Sequence, residues 1–160
     1  MFVFNSIFAC VIFFSGSAVY AQSGKVPPFR MMQSNNKLFV AANLPMGKPI
    51  IIFYFSPECD DCQKETEKIL SHIEDFKKAS VAMITYLSVE SVSQFVARNK
   101  LDKYSNIFVG TEGNYLLVKN YYNIEQFPFI ALYNKNGDLI KKYSSTEINF
   151  NDLLVRLKKL

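Results

Sequence analysis

The amino-acid sequence predicts a single α/β domain built on a mixed β-sheet. Apolar, β-branched runs alternate twice with segments of helical period, a pattern typical of strands packed between helices. Two later apolar runs flank Asn136 and Gly137, and an Asn-Gly pair in that position indicates a hairpin of antiparallel strands. The chain has 160 residues, of which 49% are hydrophobic and 20% charged, and this composition suits one globular domain.

Each element follows from a local pattern. The run at 50–55 is apolar at every position, so we expect a central strand that is buried on both faces. From Cys62 to Lys78 the apolar residues recur with helical spacing, which predicts a helix directly after that strand. The remaining predicted elements are strands at 37–44, 81–87, 107–110, 129–133 and 139–143, a helix at 91–101, a helical or irregular stretch at 114–122, and a last helix capped by Asn149.

The first 21 residues are predicted to be a signal peptide. Residues 1–21 contain no charged side chain, and their apolar run ends in small residues, with Ala21 at a suitable cleavage position. An uncleaved membrane anchor is the alternative, because roughly 20 apolar residues can span a bilayer. Lipid attachment at Cys10 is a weaker alternative. In every case we expect the domain outside the cytoplasm, either periplasmic or secreted, or membrane-anchored if the segment is retained.

The rest of the chain is predicted to form a short lead-in and one domain. Residues 22–36 contain two adjacent prolines and little periodicity, which indicates an extended lead-in. Residues 37–160 contain no linker, repeat or low-complexity tract, so we expect them to form the folded domain.

Two cysteines carry the strongest chemical signal. Cys59 and Cys62 are separated by Asp60 and Asp61 at the point where the buried strand gives way to a helix. A disulfide between them would close a loop of about four residues, and the chain-entropy model assigns that only roughly 2 kcal/mol of stabilisation. Reversible thiol chemistry is therefore the leading interpretation. The alternatives are half of a zinc site or an inert pair of cysteines. A zinc site needs further ligands, and the chain has only His72 and carboxylates to offer.

The positions of the two cysteines predict different roles. Cys59 would lie at the helix N-terminus, where unpaired N–H groups and the positive end of the dipole favour a thiolate, so we expect it to attack. Cys62 would lie one turn further in, more shielded, as the resolving thiol. A neighbouring carboxylate of Asp60 or Asp61 about 7 Å away disfavours the thiolate by roughly 0.6 to 2.4 kcal/mol. The helix terminus favours it by about 0.3 to 2 kcal/mol, so the two effects are comparable. Compared with strongly oxidising periplasmic proteins, whose reduced thiolate is unusually stabilised, the acidic insert tilts this pair toward a reductant or weak oxidant. The alternative is that both are solvated first-turn acids.

The order of these features resembles the thioredoxin-like superfamily. A strand, Cys-x-x-Cys at the start of a helix, a further β-α unit, Phe127-Pro128 before a hairpin, and a C-terminal helix follow one another. With the export signal, the chain is most similar to periplasmic TlpA-like thiol-disulfide oxidoreductases, over about Phe29 to Leu160. The resemblance implies a central mixed sheet flanked by helices, with a C-terminal β-hairpin and helix.

The resemblance also implies a substrate groove. The proline that matches Pro128 in the family is cis and lies against the dithiol, while the backbone of the preceding residue, here Phe127, pairs with an extended substrate. Pro57 and Glu58 are expected to complete the contacts. Phe127 is bulkier than is usual in the family, so we expect an apolar groove.

Two departures from the family bear on catalysis. Thioredoxins generally carry Trp immediately before the first cysteine, where this chain has Glu58. They also carry a buried acid six residues before that cysteine as proton acceptor, where this chain has Phe53. Deprotonation of Cys62 would then depend on water or on another group such as Glu58.

The sequence thus predicts an extracytoplasmic thiol-disulfide oxidoreductase that reduces or exchanges disulfides in exported proteins. The alternative is a non-catalytic module of the same fold that binds a client peptide or a soft metal, and a dithiol peroxidase is a third interpretation. Disulfide-containing exported proteins and a membrane-bound electron donor are the expected partners. No cofactor beyond the dithiol, no resident metal and no oligomer are expected. Nucleic acid is not expected either, because the net charge is only +4 and the 18 Lys and Arg residues are scattered.

Overall fold

The computed structural model describes residues 24–160. The predicted signal peptide at 1–21, its alternative as an anchor, and Cys10 lie outside the described residues. Seven strands form one mixed sheet in the order β2-β1-β5-β4-β3-β6-β7. In chain order the elements are β1 Arg30–Gln33, β2 Leu38–Val40, β3 Ile50–Tyr54, α1 Asp60–Ser71, α2 Ile73–Phe76, β4 Ser80–Thr85, α3 Val89–Asn99, β5 Ile107–Thr111, α4 Leu117–Tyr122, β6 Phe129–Tyr133, β7 Leu139–Tyr143 and α5 Phe150–Lys158.

Strand β3 is the centre of the sheet. It pairs in parallel with β4 and antiparallel with β6, so both of its edges are used. Its side chains alternate between two apolar cores: Ile51 and Phe53 belong to one, Ile52 and Tyr54 to the other. All four of these side chains are 0% exposed. The prediction of a strand buried on both faces is confirmed, and the hairpin of β6 and β7 has the predicted bounds.

The lead-in takes part in the sheet, which the sequence pattern did not indicate. Residues 30–33 form β1, which pairs antiparallel with β5 and buries Met31. Gly110 allows this pairing, because a Cβ atom there would lie 2.8 Å from the Met31 Cγ. The predicted strand at 37–44 is shorter than expected, since β2 ends at Val40 and a 3-10 turn follows.

The predicted helix at 62–78 begins earlier and is divided in two. Helix α1 starts at Asp60 and ends at Ser71, and α2 follows after a break at His72. His72 leaves helical geometry with φ −112° and ψ 27°, and its exposed ring lies 5.3 Å from that of Phe150. Within residues 24–160 no group of three or more His, Cys, Asp or Glu side chains could hold a metal ion. None of the helices in that range has the length and hydrophobicity needed to cross a bilayer.

The dithiol and the start of the described chain lie at opposite ends of the sheet. The C-terminal end of β3 leads into α1 and the dithiol, whereas its first residue, Ile50, pairs with Tyr133 beside the hairpin turn. At that far end the start of the described chain is fastened to the hairpin: the Leu139 amide donates to the Gly24 carbonyl at 2.7 Å, and Lys25 pairs with Asp138. The described chain therefore begins at the end of the sheet opposite to the dithiol.

Candidate active site

The turn between β3 and α1 positions the first cysteine. The Cys59 amide donates to the Ser56 carbonyl at 3.1 Å, which closes a tight turn after the strand. The side-chain amide of Gln63, one turn into α1, donates to the Pro57 carbonyl at 2.9 Å and ties the turn to the helix. Pro57 is buried within this turn, while Glu58 is exposed. Of these two residues expected to contact substrate, only Glu58 faces solvent.

The sulfur of Cys59 is the N-cap of α1. It accepts the Cys62 amide N–H at 3.3 Å, which satisfies one of the unpaired donors at the helix start. The Cys59 sulfur lies 3.9 Å from the Phe127 carbonyl oxygen, within reach of a weak hydrogen bond donated by its S–H. Cys59 is only partly buried, in contrast to Cys62. The N–H and the helix dipole together favour negative charge at this position.

Cys62 lies behind it as a buried thiol. Its side chain is 0% exposed and belongs to the core on the α1 side of the sheet. Burial, reinforced by the hydrogen bond with Cys59, raises the pKa of the Cys62 thiol well above its ordinary value. Both cysteines are free thiols. The two cysteines thus differ in accessibility, with Cys59 partly exposed and Cys62 buried.

The acids between the cysteines are on the surface of the first helical turn. Asp60 and Asp61 are both exposed, and the Asp61 carboxylate pairs with the Lys64 ammonium at 2.8 Å. This hydrogen bond holds the pKa of Asp61 below its usual value. The Asp61 charge nevertheless acts on the dithiol, because it contributes to the raised pKa of the buried Cys62 thiol.

Phe127 and Pro128 close the other side of the site, and the peptide bond between them is cis. The Phe127 ring packs between two tyrosines, with centroids 5.9 Å from Tyr54 and 5.6 Å from Tyr86. We call these three rings the aromatic platform. Pro128 and Tyr54 are buried, whereas Phe127 and Tyr86 are partly exposed, so the platform offers an apolar surface next to Cys59.

A buried carboxylate on α1 is a further candidate for the site, and sequence reasoning missed it. Glu65 is 8% exposed and lies three residues after Cys62, a spacing that places two side chains on the same face of a helix. One of its oxygens accepts from the Lys68 ammonium at 2.6 Å, while Oε2 is buried without a hydrogen-bond partner. Phe53, where the family has its acid, is fully buried among aromatic side chains. The i, i+3 relation to Cys62 was the signal available in the sequence.

Comparison with solved structures agrees with the fold. A secreted disulfide oxidoreductase of Mycobacterium tuberculosis superposes with a TM-score of 0.67 and 18% identity, covering 83% of this chain and 96% of that one. The thioredoxin domain of a thiol-disulfide oxidoreductase from Bacteroides vulgatus gives 0.68 and 20%, covering 84% and 94%. A thiol-disulfide oxidoreductase from Bacteroides fragilis gives 0.68 and 14%, covering 84% and 98%. No protein-family model matches the chain, and no curated protein matches it in sequence.

The chain therefore has the thioredoxin-like fold, as its sequence predicted. The mixed sheet, the flanking helices and the C-terminal hairpin and helix all correspond to that fold. The structural neighbours named above are thiol-disulfide oxidoreductases, and they match this chain over most of its length.

The difference between the two thiols leads to a test by alkylation. At pH 7 to 9 the Cys62→Ser variant, which keeps Cys59, should react with iodoacetamide at least about ten-fold faster than the Cys59→Ser variant. The reason is that Cys62 is buried and its raised pKa keeps it protonated over that range. Mass spectrometry of timed samples measures both rates, and the same reaction in concentrated urea, where burial is lost, is the control. Equal rates in the folded variants would contradict the assignment.

Proposed function

We propose that this protein is an extracytoplasmic thiol-disulfide oxidoreductase that uses Cys59 and Cys62 to reduce or exchange disulfides in exported proteins. The observation that carries the proposal is the pairing of a partly exposed sulfur at a helix N-terminus with a buried thiol three residues later. The fold supports it, since its neighbours include a secreted disulfide oxidoreductase. We further propose that the domain is exported, that its clients are exported proteins with disulfides, and that a membrane-bound donor supplies its electrons.

The reaction proceeds in two exchanges. The Cys59 thiolate attacks one sulfur of a client disulfide, so a mixed disulfide forms and the other client sulfur leaves as a thiolate. Cys62, once deprotonated, attacks the Cys59 sulfur, which forms the Cys59–Cys62 disulfide and releases the second client thiolate. Two electrons have then passed to the client. The donor returns them by reducing the Cys59–Cys62 disulfide.

The second exchange requires that Cys62 lose its proton inside the protein. Glu58 was the candidate acceptor from sequence, but it is exposed on the outer side of the turn. We assign the proton to Glu65, because its buried Oε2 has no hydrogen-bond partner and its side chain shares a helix face with Cys62. Lys68 holds the other carboxylate oxygen and so fixes the orientation of the group.

Insulin reduction tests the proposed activity. The wild-type protein with dithiothreitol as electron source should accelerate insulin precipitation, and the Cys59→Ser variant should be inactive because it has no attacking sulfur. The Cys62→Ser variant should stall as a mixed disulfide that is visible by mass spectrometry. If wild type is no faster than either variant, the protein is instead a binding module. Stoichiometric uptake of a soft metal without turnover would support the same conclusion.

The reduction potential tests the effect of the acids. Glutathione titration should give a value near −270 mV, typical of a reductant, whereas a value near −120 mV would overturn this part of the proposal. Asp60→Asn should raise the potential by about 10 to 30 mV, because removing a carboxylate stabilises the reduced, thiolate form. Asp61→Asn is the matched variant and should raise the potential by a similar amount, because the Asp61 charge raises the pKa of the Cys62 thiol although Lys64 pairs with it.

Glu65→Gln tests the proton acceptor. The substitution keeps the size of the side chain, and we expect turnover in the insulin assay to fall about ten-fold or more, with longer-lived mixed disulfide. The loss should shrink as the pH rises, because hydroxide then removes the Cys62 proton. Glu67→Gln is the control, as Glu67 is exposed on the same helix. A pH-independent loss, or equal effects of the two variants, would show that Glu65 has only a structural role.

A further inference from the structure

A lysine lies over the aromatic platform beside the dithiol. The Lys119 Nζ is 5.5 Å from the centroid of the Tyr86 ring and 5.9 Å from that of Phe127. The side chain is only partly exposed. Among the ion pairs formed by residues 24–160, none includes Lys119. An ammonium with three donors thus faces two rings that cannot accept strong hydrogen bonds.

A buried carboxylate holds this lysine in place. Glu112, 3% exposed and directly after β5, accepts the Val118 amide at 2.8 Å and the Lys119 amide at 3.3 Å, so it fixes the first turn of α4. The same carboxylate accepts the Tyr54 hydroxyl at 2.7 Å. Through Glu112, the backbone that carries Lys119 is therefore joined to the central strand that leads to the dithiol.

The charges on the two sides of the reactive sulfur differ in sign. Phe127, whose ring lies under the Lys119 ammonium, has its carbonyl oxygen 3.9 Å from the Cys59 sulfur. On the α1 side, the exposed carboxylates of Glu58 and Asp60 flank Cys59 in sequence. A chain attached to Cys59 therefore passes from an acidic rim on one side to a basic, aromatic surface on the other.

We infer that the client segment carries a carboxylate next to its attacked cysteine, bound by Lys119 over the aromatic platform. This inference rests on the proposed function and specifies its substrate class. An acidic side chain in that position would make a charge-assisted hydrogen bond with the ammonium. A basic side chain would meet a like charge, and a neutral one would leave the ammonium over the rings as it is in the free protein.

The competing explanation is that Lys119 only covers the rings with its methylene stem. Under that explanation Lys119→Met, which keeps an unbranched stem without the charge, would attack acidic, neutral and basic clients at the same relative rates as wild type. Lys135 provides a matched charge control, because it is exposed in the hairpin turn at the opposite end of the sheet. A five-residue strand separates that turn from the end of the sheet where Cys59 lies. This separation exceeds the Debye length of about 8 Å in physiological salt, so the charge of Lys135 is screened at Cys59.

The test uses synthetic peptides that each contain one cysteine, blocked as a mixed disulfide with 2-mercaptoethanol. In one series the residue before the cysteine is Asp, Asn or Lys, and in a second series the residue after it is varied in the same way. Stopped-flow measurement of the attack gives a second-order rate constant for each peptide. For each protein, the rate constant for the Asp peptide is divided by that for the Lys peptide. This ratio is then divided by the same ratio measured with Lys119→Met, and we call the result the quotient. The division cancels the intrinsic reactivity of each peptide.

In one of the two series we expect wild type to give a quotient of about five at low ionic strength, falling toward one in 0.5 M NaCl. Lys119→Glu should give a quotient below one, and Lys135→Glu should match wild type. A quotient near one for wild type and Lys119→Glu alike in both series would overturn the inference while leaving the proposed function intact. If the Asn peptides are not attacked at all, the proposed function fails and the inference fails with it.

Discussion

The structure depends on one contact, the hydrogen bond by which the Cys59 sulfur caps helix α1. Strand β3 is apolar on both faces and ends in the interior, so the chain must turn sharply before it can begin a surface helix. Using sulfur as the cap satisfies a helix donor and, at the same time, presents the reactive atom where the helix dipole favours negative charge. The helical spacing then directs Cys62 into the core. The chemistry of the site is thus a consequence of how this helix begins.

Local patterns predicted most of the fold, while contacts between distant segments were not visible in the sequence. The bounds of β6 and β7 and the burial of β3 follow from runs of apolar residues and from the Asn-Gly turn. Strand β1 was missed because its four residues have no clear alternation, and it is stabilised by pairing with β5 and by the space at Gly110. The division of the predicted helix at His72 was missed because the apolar spacing continues through the break.

The same distinction applies to the site. The dithiol, its order and the cis Phe127–Pro128 bond follow from a short motif and a resemblance. Tyr86 and Lys119 come from different parts of the chain and meet Phe127 only in the folded sheet, so no spacing predicts them. The two buried glutamates also differ in a way that only coordinates reveal. Glu112 uses both oxygens as acceptors and has a structural role, whereas Glu65, three residues after Cys62, keeps one buried oxygen unpaired.

The contacts of Gly24 and Lys25 with the hairpin have a practical consequence for attaching the protein to a support. Gly24 and Lys25 lie at the end of the sheet that does not carry the dithiol, a strand length of roughly 15 Å away from it. Immobilisation through that end would present Cys59 outward, toward the surrounding solution. A linker inserted there would change the distance between the support and the Cys59 sulfur. It would not alter any residue that contacts that sulfur.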